Sequence, residues 1–252
     1  MLLAANNISK SFGGLKALQD VSFGIEPGQI FGLIGPNGAG KTTLFNCLTG
    51  AYKADLGRFI FNGADITGFS EVKIAQAGIS RTFQNIRLFK EMTVLENVMV
   101  GRHRLGRAGL GSALVRNRKT RGEETGIRQN ARRRLEFVEL AGASGLLAKN
   151  LPYGHQRRLE IARALAADPG FLCLDEPAAG MNPSEVSGLM ALIQKIRDTG
   201  VTVLLIEHHM KVVMGICDLV LVLDGGVKIA EGRPPEVRRE PKVIEAYLGR
   251  QG

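Results

Sequence analysis

The chain has 252 residues, of which 44% are hydrophobic and 23% charged, and its formal net charge is +9. This composition is typical of a globular protein and excludes an intrinsically disordered chain. No apolar run approaches the roughly 18 residues of a membrane-spanning helix, and residues 1–7 lack the features of a signal peptide. The three cysteines, Cys47, Cys173 and Cys217, are scattered and do not have metal-site spacing. We therefore expect a reduced, cytosolic protein that is neither secreted nor integral to a membrane.

The positive charge is concentrated in one segment, between Gly101 and Leu135. This segment holds ten arginines and Lys119 against two acidic residues, Glu123 and Glu124, which accounts for the whole excess charge of the chain. Such a segment is either a solvated basic insertion or a surface that contacts anionic lipid headgroups or nucleic acid. Composition alone does not choose between these interpretations.

The predicted elements begin with short strands separated by turn signals, and a helical region follows. Partial alternation of apolar and polar residues favours strands near the N-terminus, and Glu26-Pro27-Gly28 marks a turn after the second of them. From about residue 71 to residue 165 the pattern changes to helical segments separated by the Gly- and Arg-rich stretch. The predicted strands are Leu2–Ile8, Ala17–Ile25, Ile30–Ile34 and Gly57–Asn62, and the predicted helical segments are Leu44–Leu48, Val94–Val100 and Ala131–Leu140.

The C-terminal part of the chain has a β-α-β pattern. Asn182-Pro183-Ser184-Glu185 combines a helix N-cap, a proline at the first helical position and a capping-box carboxylate. An apolar face with steps of three and four residues follows, and Gly200 ends the helix. Alternating strands and helices indicate a mostly parallel sheet, with antiparallel strands added early in the chain. The predicted strands here are Phe171–Leu174, Val201–Ile206 and the hairpin of Leu219–Leu223 with Val227–Ala230.

A glycine-rich loop, Gly35-x4-Gly40-Lys41-Thr42, lies between a short apolar strand and a helix. This spacing and context are those of a P-loop, in which backbone N–H groups at a helix N-terminus wrap phosphate oxygens. Lys41 then supplies positive charge to the β- and γ-phosphates, and Thr42 offers a hydroxyl to Mg²⁺. The predicted nucleotide-binding residues of the loop are Gly35, Pro36, Asn37, Gly38, Ala39, Gly40, Lys41, Thr42 and Thr43.

Polar residues follow two predicted strands, at the edge where parallel α/β sheets bind their ligands. Asp175 is a candidate Mg²⁺ ligand through water, and Glu176 is placed to take a proton from an attacking water. His208 follows the next strand and is suited to orient that water, although the neighbouring His209 is an alternative. Gln84 lies at the junction between the core sheet and the helical insertion, which makes it a candidate reporter of the Mg²⁺ site.

Motifs along nearly the whole chain carry a resemblance to a known family. They are Phe12-Gly-Gly-Leu, Gly35–Thr43, Phe45-Asn-Cys-Leu-Thr-Gly50, Arg81–Phe89, Met92-Thr-Val-Leu-Glu-Asn97, Tyr153-Gly, Gln156-Arg-Arg-Leu-Glu-Ile-Ala-Arg163, Asp175-Glu-Pro-Ala-Ala-Gly180, Ile206-Glu-His-His-Met-Lys211 and Ala246-Tyr-Leu-Gly249. Together they resemble the ATP-binding cassette (ABC) ATPases of membrane transporters, and more narrowly the ATPase subunit of branched-chain amino-acid importers. Such a density of matches is highly specific for ABC ATPases.

The resemblance implies a fold and a domain organisation. The expected fold is α/β, a P-loop NTPase core with a mostly parallel sheet, an N-terminal antiparallel β subdomain and an inserted helical subdomain. Residues 1–252 then form a single ABC ATPase domain. Its core comprises residues 1–84 and 165–252, and residues 85–164 form the helical subdomain.

The resemblance also implies roles for individual residues. Phe12 is expected to stack on adenine, Gln84 to be the Q-loop glutamine that contacts Mg²⁺, and His208 to be the switch histidine. Together with Glu176, the residues Gln84 and His208 form the predicted catalytic set.

The segment Leu151-Pro-Tyr-Gly-His155 occupies the position of the family signature, which is usually Leu-Ser-Gly-Gly-Gln. Tyr153 and Gly154 are therefore expected to reach the ATP of a partner cassette. Pro152 replaces the serine that contacts the γ-phosphate, and His155 replaces the glutamine. In the D-loop, Asn182 stands where aspartate is usual. These differences bear on the rate of hydrolysis more than on binding.

The implied function is ATP hydrolysis, with ATP and Mg²⁺, coupled to solute import. Two cassettes, either two copies of this chain or this chain and a paralogue, close on ATP and move integral membrane permease subunits, which a solute-binding protein serves. The expected location is cytoplasmic, peripheral on the inner face of the cell membrane. The alternatives are an exporter or lipid-transport ATPase, or a soluble ABC protein acting on nucleic acid or ribosomes. We expect no nucleic-acid partner, because residues 102–134 lack aromatic side chains for base stacking. Branched-chain amino acids are the default solute, although the sequence does not name it.

Overall fold

The computed structural model describes residues 1–103 and 118–248, with the side chains of 103, 118–123 and 248 excepted. The strands in this part of the chain are β1 Leu3–Phe12, β2 Leu15–Ile25, β3 Ile30–Ile34, β4 Leu56–Phe61, β5 Ala64–Asp65, β6 Ile79–Arg81, β7 Phe171–Asp175, β8 Thr202–Ile206, β9 Leu219–Asp224 and β10 Val227–Gly232. The α-helices are α1 Lys41–Leu48, α2 Glu71–Gln76, α3 Val94–His103, α4 Arg118–Phe137, α5 Tyr153–Leu165, α6 Pro183–Asp198, α7 Met210–Ile216, α8 Pro234–Val237 and α9 Pro241–Leu248. No helix among these residues is both long and apolar enough to cross a membrane.

The chain divides into two compact units, residues 1–81 with 170–252 and residues 82–169. The first unit contains two sheets. One is antiparallel, with the strand order β2-β1-β4-β5, and the other has the order β10-β9-β3-β8-β7-β6. In the second sheet the five strands from β9 to β6 are parallel and β10 is antiparallel. The predicted α/β fold, with a mostly parallel core sheet and an early antiparallel sheet, is confirmed.

The central strands explain why the sequence shows continuous apolar runs. Every residue of β3, β7 and β8 is buried, as expected for parallel strands covered on both faces. The register pairs Asp175 at the end of β7 with Ile206 at the end of β8. The residues that follow β3, β7 and β8 therefore leave the sheet along one edge.

The second unit is helical. Helices α3, α4 and α5 pack on one another through buried residues that include Val98, Leu135 and Leu159. The approach of α3 to α5 requires a glycine, because a Cβ at Gly101 would lie 2.2 Å from the Arg163 carbonyl oxygen. Two arginines of the basic segment, Arg102 and Arg134, form ion pairs with Asp168 in this unit. Residues 104–117 of that segment lie outside the described residues.

Two sequence predictions about local structure were incomplete. The predicted helix ending at Leu140 ends at Phe137 instead, because Glu139 adopts a left-handed conformation with φ 64°. The Leu140 N–H then donates to the Leu135 carbonyl at 2.7 Å, the bond of a Schellman C-cap that usually employs glycine. The short elements α2, α7, α8, α9, β5 and β6 were not predicted, since two to eight residues are too few to show a clear hydrophobic period.

Candidate functional site

The P-loop connects β3 to α1, and two glycines determine its course. Gly35 has φ 149° and a Cβ there would lie 2.1 Å from the Leu223 carbonyl oxygen, while Gly40 has φ 100° and a Cβ would lie 2.6 Å from the Ala17 carbonyl oxygen. Any side chain at either position would collide with backbone. Gly40 is the N-cap of α1, and no side chain in the described part of the chain caps that helix. The N–H groups of its first turn are thus oriented for an anion.

The Lys41 side chain is enclosed by this loop. Its Nζ donates to the carbonyl oxygens of Gly35 at 2.7 Å and Pro36 at 3.0 Å, and the residue is only 8% exposed. Burial lowers the pKa of Lys41, and the negative charges of Glu176 and Asp175 oppose that shift. The P-loop cation and the two predicted catalytic-site carboxylates therefore belong to one electrostatic cluster.

Glu176 and His208 meet at the ends of neighbouring strands. Glu176 follows β7 in a left-handed conformation with φ 46°, which is strained for a residue with a side chain. Its N–H donates to the Ile206 carbonyl at 2.9 Å, which holds it beside the end of β8. The His208 Nδ1 lies 3.7 Å from the Glu176 Oε1. His209 instead occupies the N-cap position of α7, so His208 is the histidine that faces Glu176.

Glu207 is a buried carboxylate that sequence reasoning missed. It is 0% exposed, and its side chain accepts N–H bonds from Ala178 at 2.8 Å and from His208 and His209 at 3.1 Å each. In the sequence it lies between an apolar strand and two histidines, and nothing in that pattern indicates these bonds.

Phe12 and Tyr52 form an exposed aromatic pair. The ring of Phe12, at the end of β1, lies edge-on to Tyr52 with 5.3 Å between the ring centroids. Each residue is 43% exposed, and the Lys10 Nζ lies 5.3 Å from the centre of the Phe12 ring. An exposed ring at the end of a strand is accessible to a base, and the stacking of Phe12 on adenine stays a prediction. Tyr52 was not predicted, because it lies in the loop after α1.

Tyr247, in α9, is a further residue that was not assigned a role. Burial raises the pKa of its hydroxyl, and the backbone of Gly35 opposes the rise. Among the described residues, no partner forms a hydrogen bond of normal geometry with this buried hydroxyl oxygen. The sequence signal at this residue was the motif Ala246-Tyr-Leu-Gly249.

The second unit contains the predicted signature and Q-loop residues. Helix α5 begins at Tyr153, with Pro152 in the N-cap position, and Gly154 in its first turn is buried. Tyr153 is exposed, and its hydroxyl oxygen lies 3.3 Å from the Arg157 Nη2. Gln84 is also exposed, and its backbone carbonyl accepts a bond from the same Arg157 nitrogen at 3.0 Å.

A buried ion pair organises this region. Arg157 and Glu160 are 0% and 1% exposed, and their side chains meet at 2.8 Å. Arg157 also donates to the Phe83 carbonyl at 2.8 Å, and the Glu160 carboxylate accepts from the Phe83 N–H at 3.3 Å. One turn of α5 thereby holds the backbone that leads into Gln84.

Comparisons with known proteins identify the family of the chain. The family model for ABC transporters matches residues 18–179, and that for branched-chain amino acid ATP-binding cassette transporters matches residues 227–252. The chain is 46% identical to LivG of Escherichia coli (strain K12) and 47% identical to BraF of Pseudomonas aeruginosa, each over 249 residues that cover 98% of both chains. Both relatives are high-affinity branched-chain amino acid transport ATP-binding proteins.

Solved structures give the same result. A nucleotide-free ATP-binding cassette from an ABC transporter is 37% identical with a TM-score of 0.86, and the match covers 98% of this chain and 99% of that one. The ADP conformation of MJ1267, an ATP-binding cassette of an ABC transporter, is 36% identical, also with a TM-score of 0.86, and the match covers 98% of each chain. The chain therefore belongs to the ABC transporter ATPases, in the branch of branched-chain amino acid ATP-binding cassettes.

Proposed function

We propose that this chain hydrolyses ATP as the energy-coupling subunit of an importer for branched-chain amino acids. The observation that carries the proposal is the cluster of Lys41, Glu176 and His208 at the end of the core sheet, in a chain with full-length similarity to LivG and BraF. A P-loop lysine beside a carboxylate and an imidazole is suited to hydrolysis of a phosphoanhydride.

The donor atoms near the P-loop fit Mg²⁺. Thr42 is exposed in the first turn of α1, and the Asp175 carboxylate lies at the end of β7. Hydroxyl and carboxylate oxygens are hard ligands, and Mg²⁺ typically takes one or two of them together with phosphate oxygens and water. When bound, the ion neutralises charge on the β- and γ-phosphates. A contact from Gln84 to this ion stays a prediction.

The hydrolytic step depends on positioned charge. Lys41 turns from the carbonyls of Gly35 and Pro36 to the phosphates, and the N–H groups of the P-loop stabilise the negative charge that develops. A water oxygen attacks the γ-phosphorus, the bond to the ADP oxygen breaks, and the Glu176 carboxylate accepts the proton of the water. The imidazole of His208, 3.7 Å from Glu176, orients the water and the γ-phosphate.

The proposed partners follow from the family. A second cassette, a copy of this chain or a paralogue, presents the segment Leu151–His155 to the ATP bound here, and this chain presents its own segment in return, including Tyr153 and Gly154. Closure of the pair drives integral membrane permeases that receive solute from a binding protein. The proposal therefore includes a position on the inner face of the membrane.

The hydrolysis is tested by replacing Glu176 with glutamine, which keeps the size of the side chain but does not accept the proton. We expect turnover to fall by about a hundredfold or more, with ATP still bound. Glu26→Gln is the matched control, because that carboxylate is exposed in the turn after β2 and is not among the predicted site residues, so turnover should be unchanged. A Glu176→Gln protein that hydrolyses ATP at the wild-type rate would disprove this mechanism.

The transported solute is tested in cells of the source organism that lack this gene. We expect uptake of radiolabelled leucine, isoleucine and valine to be lost and to be restored by the wild-type gene or Glu26→Gln, but not by Glu176→Gln. Lysine uptake serves as the control. Unchanged uptake of all three branched-chain amino acids would refute the solute assignment and favour an exporter or a different solute.

A further inference from the structure

The inference concerns Glu207, which lies where the strands β7 and β8 separate. The ladder between them pairs Asp175 with Ile206 and continues with one more bond, from the Glu176 N–H to the Ile206 carbonyl at 2.9 Å. Beyond that point the segments that follow β7 and β8 are no longer paired as a ladder. Glu176 leads towards α6 and His208 leads towards α7.

Beyond the last ladder bond, hydrogen bonds to the Glu207 side chain connect the two segments. Its Oε1 accepts the Ala178 N–H at 2.8 Å, and its Oε2 accepts the N–H groups of His208 and His209 at 3.1 Å. One carboxylate thus joins the loop that follows Glu176 to the loop that carries His208. We name these four residues, Ala178, Glu207, His208 and His209, the carboxylate bracket.

The carboxylate bracket requires a side chain with two hydrogen-bond acceptors at position 207. Glu207 is fully buried, and among the side chains that the structure describes, those of 103, 118–123 and 248 being excepted, no lysine or arginine forms an ion pair with it. Three N–H donors therefore provide its stabilisation, and both oxygens must act as acceptors. Glutamine in this place would present an NH₂ group to at least one N–H donor.

We infer that Glu207 is a positioning residue for ATP hydrolysis, which holds the His208 imidazole at the Glu176 carboxylate. The inference rests on the proposed hydrolytic function of this site. The His208 Nδ1 and the Glu176 Oε1 lie 3.7 Å apart. These two side chains belong to the two loops whose backbones the carboxylate bracket connects. Because Glu207 is fully buried, we expect it to act through the position of the His208 side chain and not by direct contact with the nucleotide.

The test compares Glu207→Gln with wild type in the purified protein, or in its complex with partner subunits. We expect kcat to fall by about tenfold or more, since small misplacements of catalytic groups have large effects. The Kd of ATP stays within about twofold, because Lys41 and the P-loop are unchanged. The matched control is Thr202→Val, at the other end of β8, where the Thr202 hydroxyl accepts the Gly28 N–H at 2.9 Å. This control loses a similar buried bond and keeps kcat.

A double-mutant cycle separates positioning from stability. In a His208→Ala background, measured in single turnovers, Glu207→Gln should lower the rate by no more than about twofold, because the group it positions is gone. A full additive loss would overturn the inference. So would a Glu207→Gln protein that is destabilised like Thr202→Val but hydrolyses ATP at the wild-type rate.

Hydrogen exchange in the wild-type protein tests the bracket without any substitution or hydrolysis. The amides of Ala178, His208 and His209 should exchange at least about a hundredfold more slowly than in a free peptide. Exchange of these three amides at peptide rates would overturn the inference even if Glu207→Gln does not fold. A wild-type protein without ATPase activity would instead contradict the proposed function and leave this measurement to decide on the bracket.

Discussion

Each of the two compact units uses buried charge to hold a functional loop, but the two do so differently. In the first unit the single carboxylate of Glu207 is satisfied by three backbone N–H groups. In the second unit Arg157 and Glu160 form an ion pair and share the backbone of Phe83 between them.

The difference lies in the backbone groups that each loop presents for hydrogen bonding. In the loops after β7 and β8 these groups are N–H donors, which a carboxylate accepts. At Phe83 and Gln84 the backbone presents both carbonyls and an N–H, which call for a cation as well as an anion. A buried pair that is complete costs little net stability, while a broken pair is expensive. The two arrangements should therefore respond differently to substitution.

Breaking the ion pair should have the largest effect. Arg157→Met leaves the buried Glu160 charge without its partner and removes the donor to two loop carbonyls. We expect a loss of about 3–5 kcal/mol in the free energy of unfolding. The double variant Arg157→Met/Glu160→Leu should lose distinctly less than the sum of the single variants. Urea unfolding of the four proteins measures the coupling, and strictly additive losses would contradict the arrangement.

Removing the P-loop cation should come next. Lys41→Ala removes charged hydrogen bonds to the phosphates, each of which contributes about 1.5–3 kcal/mol, so ATP affinity should fall by about a hundredfold. Titration with a fluorescent ATP analogue measures it. Lys242→Ala, which removes an exposed lysine of α9, is the control for net charge and should bind as the wild type does. Equal affinity in the two variants would remove Lys41 from the site.

Substitution of the two adjacent histidines should have smaller effects, which differ between His208 and His209. His208→Ala should lower turnover by about tenfold or more, because the γ-phosphate and water lose a hydrogen-bonding partner. His209→Ala should change turnover by less than about twofold, since only the backbone N–H of His209 belongs to the carboxylate bracket. ATPase assays of both variants at saturating ATP decide the matter. The reverse order would assign the role to His209.

The smallest effect is expected at Glu96, an exposed counterpart of Glu207. Its carboxylate accepts the Thr93 N–H at 2.8 Å and the Thr93 hydroxyl at 2.7 Å, and these bonds lower the pKa of Glu96. Because the pKa of Glu96 is lower in the folded protein than in the unfolded chain, its ionised carboxylate stabilises the folded protein at pH values above the unfolded pKa. This stabilisation is lost as the pH falls below about 4. Glu96→Gln should flatten that part of the stability curve, and Thr93→Ala should cost about 1 kcal/mol at neutral pH. Thermal unfolding between pH 3 and pH 7 measures both effects, and unchanged curves would contradict the cap.

The residues that were predictable are those whose role depends on local sequence. The P-loop was predictable because its glycines and Lys41 lie within seven positions, and the capping box of Asn182 and Glu185 was confirmed in full. Asp175 and Glu176 were found because a carboxylate pair after an apolar strand has few other interpretations beside a P-loop. Their predicted roles in catalysis and Mg²⁺ binding stay predictions.

The residues that were missed act over long distances in the chain. Glu207 reaches Ala178 across 29 positions, and Arg157 reaches Phe83 across 74. In the sequence each of them is an ordinary charged residue next to an apolar segment, and only the folded chain shows that it is buried. Glu139 was missed for a different reason, because the left-handed residue that ends a helix is usually glycine, and here it is a glutamate.

The enclosure of Lys41 has a consequence for nucleotide selectivity. Its ammonium is already bonded to two carbonyl oxygens, of Gly35 and Pro36, so a ligand must compete with the protein's own backbone for this cation. ATP and ADP bring phosphate oxygens to the position of the ammonium and replace those bonds with stronger, charged ones. AMP carries its single phosphate nearest the ribose and offers the lysine no such exchange. The loop should therefore discriminate against a nucleoside monophosphate through the self-contacts of its lysine, without any group that repels it.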